Sequence, residues 1–109
     1  MGVSEPAALQ VFCTVDSEGA ARDLASALVE ASLAACVQVV GPVHSTYRWR
    51  GAVETATEWL LLMKTTEGRF ARLRDAIVNR HPYEVPEIVA VPITAGLPAY
   101  LDWIDASTS

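Results

Sequence analysis

Apolar residues at Val11, Phe12, Cys13 and Val15 mark a short first strand over residues 10–15. Asp16 or Ser17 can cap the element that follows. Leu24, Leu28, Ala31 and Ala35 recur at helical spacing, with Arg22, Asp23, Ser26 and Glu30 around the rest of the cylinder. The spacing predicts an amphipathic helix over about residues 18–32. From residue 35 the chain turns β-rich, and Gly41-Pro42 interrupts the run as a bulge or kink would. Val43, Ser45, Tyr47 and Trp49 then alternate with His44, Thr46, Arg48 and Arg50. Gly51 marks a turn, and a second extended run follows, so residues 36–65 read as one long hairpin. Thr66 can cap a second helix with Phe70, Leu73 and Ile77 on one face, which Pro82 ends. Residues 87–93 predict a fourth strand. Pro98 suits the first turn of a short last helix carrying Tyr100, Leu101, Trp103 and Ile104. Residues 106–109 read as frayed.

The order strand, helix, strand, strand, helix, strand, helix is that of a ferredoxin-like split βαβ sandwich. The fold class is α+β: an antiparallel sheet with helices on one face. Hairpin arms of about 13 residues at about 3.3 Å each reach about 43 Å. A compact chain of this length is only about 30–35 Å across. The tip should therefore project, carrying Tyr47 and Trp49 into solvent unless something covers them. Either the hairpin bends at Gly41-Pro42 onto its own core, or neighbouring subunits clasp each other's hairpins.

Composition narrows the function classes. With 109 residues, 51% of them hydrophobic, the chain supports one domain, residues 1–109, with an ordered core over about 8–106. A net charge of −5, with no basic stripe, argues against nucleic acid as a partner. Residues 1–6 lack the basic start and apolar run of a secretory signal. The longest apolar run, residues 59–63, is too short to span a bilayer, so no membrane partner is expected. Cys13 and Cys36 form neither a disulfide framework nor a zinc-ribbon pattern, which fits a reducing cytoplasm.

The chemically richest stretch is Arg80-His81-Pro82-Tyr83-Glu84-Val85-Pro86-Glu87-Ile88. Its two prolines hold the backbone extended, beside an imidazole, a phenol and two carboxylates. With Leu33-Ala34-Ala35-Cys36, Tyr47-x-Trp49-x-Gly51, Leu62-Met63-Lys64-Thr65-Thr66 and Tyr100-Leu101-x-Trp103, it makes the sequence resemble the CutA family of divalent-cation tolerance proteins. The likeness runs from about residue 11 to 106. It implies a ferredoxin-like subunit in a tight homotrimer, cytoplasmic, with a role in copper and other divalent-cation tolerance. It also implies a copper site that maps to Cys13, Arg80 and His81. Arg80 stands where the family pattern has a histidine, and a guanidinium does not ligate a cation.

Each candidate has a structural and a functional reading. Cys13 is a small core residue or an ion ligand, and Cys36 is core. His81 interacts with helix C-terminal carbonyls or serves as a ligand, with Glu84 an oxygen donor. Cysteine plus histidine would select copper or zinc, held openly and exchangeably. Trp49, Lys64, Tyr83 and Glu87 form either a solvated surface or a pocket between subunits. No glycine phosphate loop, nucleophile elbow or paired-histidine helix is present, so an enzyme is not expected. Two functions are thus weighed: a copper-binding tolerance trimer, and a small-molecule sensor or scaffold trimer in which metal binding is incidental. A thiol enzyme using Cys13 and His81 ranks below both.

Overall fold

A computed structural model describes residues 7–109; residues 1–6, read above for a signal, lie outside the described residues. The elements are β1 (Ala8–Val15), α1 (Glu18–Glu30), β2 (Cys36–Trp49), β3 (Ala52–Thr66), α2 (Glu67–Arg80), β4 (Ile88–Pro92) and α3 (Pro98–Ser107). One four-stranded antiparallel sheet runs in the order β2-β3-β1-β4. This is the α+β, ferredoxin-like arrangement that the element order predicts.

Strand parity divides the sheet into two faces. Val11, Cys13, Val15, Leu61 and Met63 are buried against Ala21, Leu24 and Leu28 of α1 and Leu73 and Ile77 of α2. α3 instead joins a small cluster of Ile104 and Leu101 with Ala8, Ala35 and Ile93. The other parity places Phe12 between Leu62 and Val89, with Leu60 opposite Val40. Val40, Val89 and Val91 are exposed, and Phe12, Leu60 and Leu62 only half-buried. The middle of this face, from Val40 across Leu60, Leu62 and Phe12 to Val89, is thus an apolar surface with little cover from the described residues of this chain.

The hairpin overhangs. β1 reaches only Trp59 on β3, so residues 52–58 pair with β2 alone. Seven such residues extend about 23 Å at about 3.3 Å each. The molecule measures 51 × 26 × 22 Å, which excludes a hairpin folded back on its own core. Arg50 (φ 50°) and Gly51 (φ 83°) form a two-residue turn with both backbones left-handed, the geometry that matches strand twist.

Gly41-Pro42 is the bulge anticipated above, with a register shift between Val40 and Val43 and a cis peptide. The extra residue exchanges the parity of β2. Val43, Ser45, Tyr47 and Trp49 therefore share the face of Gln38 and Val40. Glycine is needed here, because a Cβ on Gly41 would lie 2.4 Å from Cδ1 of Trp59. We expect Gly41→Ala to cost about 1–3 kcal/mol, read as a lower urea midpoint at unchanged slope. An unchanged midpoint would mean that the indole is not fixed over the bulge.

Some boundaries differ from the sequence reading. α1 ends at Glu30 because Ser32 turns left-handed (φ 59°) and Leu33 N–H bonds back to Leu28 C=O, a Schellman closure. Ser17 caps α1 through Ala20 N–H, whereas Thr66 stands at the start of α2 without a side-chain cap bond. The tail read as frayed is instead held. α3 runs through Ser107, Thr108 is buried, and Arg69 Nε donates to the Thr108 carbonyl.

Candidate functional site

Pro82 forces extended backbone on the residue before it, so α2 stops at Arg80 and His81 adopts φ −82°, ψ 137°. The ring of His81 then turns inward. Its Nε2 lies 2.7 Å from the carbonyl oxygen of Thr14, which only accepts, so Nε2 carries the proton. Its Nδ1 accepts the Tyr83 N–H at 3.1 Å. Both nitrogens of a neutral imidazole are thereby engaged, and its one free lone pair, on Nδ1, is taken by the Tyr83 N–H.

Cys13 lies on the helix-facing side of β1, fully buried, with Sγ 3.7 Å from the same Thr14 carbonyl. Burial, reinforced by the charges of Glu87 and Glu58, pushes its thiol up to about 12. Glu84 points elsewhere and bonds Arg50 of the hairpin tip at 2.8 Å. Cys13 and His81 are brought together at Thr14, and Glu84 is not. Among the described residues no three His, Cys, Asp or Glu side chains converge to hold an ion. As arranged, this donor set does not fit a metal ion.

A cleft of about 800 Å³ opens beside this point, between the hairpin and residues 82–87. Tyr47, Trp49, Glu54 and Glu58 supply one wall, and Tyr83 and Glu87 the other. The bulge makes this possible, since it brings Tyr47 and Trp49 onto the face of Glu54 and Glu58. The Tyr83 hydroxyl donates to Glu58 Oε2 at 2.7 Å, tying the two walls together. Burial and that carboxylate push the phenol well above the usual tyrosine range.

Trp49, Tyr83 and Glu87 line one cleft within a single chain. Lys64 does not line it. It sits on β3 opposite Gln10 and Cys36, and its ammonium meets Gln38 Oε1 at 3.3 Å. β1 lies between β3 and β4, so Lys64 and Glu87 are not neighbours within one chain. Sequence reasoning passed over Glu58, the carboxylate that anchors the cleft. Its signal was a lone acid opening an otherwise apolar run from Trp59 to Met63. Arg50, over the Trp49 ring at 5.3 Å, was likewise read only as one of the residues alternating with Tyr47 and Trp49.

The family model described as "CutA1 divalent ion tolerance protein" matches residues 9–107. The chain belongs to the CutA1 family. The resemblance drawn from the His-Pro-Tyr and Lys-Thr-Thr blocks is borne out. The divalent-cation tolerance protein CutA of Thermus thermophilus is 51% identical over 98 residues, covering 90% of this chain and 95% of that protein. The solved structure of the Cut A1 protein from Thermus thermophilus superposes with a TM-score of 0.92 at 49% identity, covering 94% of this chain and 99% of that one. The chloroplastic CutA of Arabidopsis thaliana is 40% identical over 90% of this chain, which spans 54% of that protein's length. Every cleft residue lies inside the stretch matched by the CutA1 model.

Proposed function

We propose that the chain serves divalent-cation tolerance as a homotrimeric, non-enzymatic binding protein of the cytoplasm. Its binding chemistry lies in the cleft at Trp49, Glu58, Tyr83 and Glu87. One observation carries this reading: Cys13 and His81 spend their polar atoms inside the chain, while the cleft stands open beside them. Tolerance is then indirect, through a small molecule read by the trimer. The uncovered apolar face and the overhanging hairpin support the trimer. Two free thiols suit a reducing compartment.

Copper or zinc coordination by Cys13, His81 and Glu84 is the second reading. It is favoured by the meeting of thiol and imidazole at one carbonyl oxygen. Coordination would require Cys13 to lose its proton, and with the thiol held up to about 12 it is protonated at neutral pH. Copper titration calorimetry of the wild type and of a Cys13→Ser, His81→Ala double variant decides between the readings. The cleft reading predicts equally weak binding by both at pH 7. Site coordination predicts wild-type binding that strengthens about tenfold per pH unit and disappears in the double variant.

A further inference from the structure

Four carboxylates line the cleft, Glu54, Glu58, Glu84 and Glu87, and among the described residues no lysine or arginine does. Glu84 is neutralised by Arg50 at the rim. Glu58 is different. It is only 6% exposed, yet among the described residues it has no cationic partner. Its single side-chain hydrogen bond comes from the Tyr83 hydroxyl, a neutral donor on one oxygen. A buried carboxylate without a counter-charge is costly unless something supplies one. The rings of Tyr47, Trp49 and Tyr83 line the same cavity, and aromatic faces attract cations.

An inorganic divalent ion does not meet these demands, because no three donors converge among the described residues. A cavity of about 800 Å³ also far exceeds one ion, and falls in the range that holds small organic ligands. Carboxylates spread around aromatic walls suit a charge spread over a bulky head group. We propose that the cleft takes an organic ammonium ion, its cationic head against Glu58 and the Tyr47 and Tyr83 rings and its apolar body along Val85 and Pro86. The negative field that would receive it already reaches Cys13 and Tyr83, whose protons Glu58 helps to hold.

This inference rests on the cleft being the binding site, and the test separates the two. The probes are choline, its neutral isostere 3,3-dimethyl-1-butanol and the anion 3,3-dimethylbutanoate, titrated calorimetrically into the full chain. Choline should bind saturably and at least about tenfold tighter than the butanol, and the butanoate should not bind. Glu58→Gln, which keeps an acceptor for Tyr83, should weaken choline about tenfold. Tyr47→Leu, on the hairpin and outside the core, should weaken it about threefold or more. Equal binding of choline and the butanol would overturn the ammonium assignment and leave the cleft reading standing. Choline binding that neither variant changes would overturn the location. No binding by any of the three probes at millimolar concentration would overturn both.

Discussion

Between pH 9 and 12 the folded chain is expected to lose about 4 kcal/mol of stability through Cys13 alone. The thiol ionises near 9.0 when unfolded but only near 12 when folded. Over that window the native state holds a proton that the unfolded state has released. Raising pH therefore favours unfolding. The contribution is fully present below pH 9, and about 2 kcal/mol of it is gone by pH 10.5. Tyr83, also pushed up, adds to the loss at the alkaline end. Urea unfolding at pH 8 and pH 10.5, on the wild type and on Cys13→Ala, isolates the thiol. The wild type should fall further than the variant by about 2 kcal/mol. Parallel curves would show that Cys13 ionises as readily folded as unfolded, which reopens the ligand reading.

The second large effect concerns assembly. Phe12 stands at the centre of the uncovered face, between Leu62 and Val89. A carboxylate there would be buried without a partner in every subunit, at a cost of several kcal/mol each. Phe12→Glu should consequently give monomers at micromolar concentration, while Phe12→Leu keeps the wild-type assembly. The helix-facing core of Val11, Cys13 and Val15 is untouched, so circular dichroism should report near-wild-type secondary structure. Light scattering behind a sizing column reads the mass. An assembled Phe12→Glu protein would mean that this face is not where subunits meet.

Local pattern made the fold legible. Alternation from Val43 to Trp49, helical spacing from Leu24 to Leu28, and the breaks at Gly51 and Pro82 each act over a few residues, and the elements follow them closely. Tertiary contacts decided the remainder. Ser32 closed α1 early by taking a left-handed backbone that no residue spacing signals. Thr108 was held by Arg69, 39 residues away, so the tail did not fray. The site divides in the same way. Trp49, Tyr83 and Glu87 fell into one cleft because the bulge fixes a parity that the Gly41-Pro42 pair announces. Lys64 missed it because it lies further along β3 than Glu58, opposite Gln10 and Cys36 at the end of the strand away from the hairpin tip. His81 Nδ1 is engaged within the His-Pro-Tyr block, by the Tyr83 N–H, but Nε2 is engaged by Thr14, 67 residues away, which no reading of that block alone reaches.

The proposed trimer rests on one copy leaving an apolar sheet face bare, over which three copies close. Sedimentation equilibrium of the wild type at micromolar concentration tests this directly. A mass near three times 11.7 kDa is expected, and a mass near 11.7 kDa would contradict it.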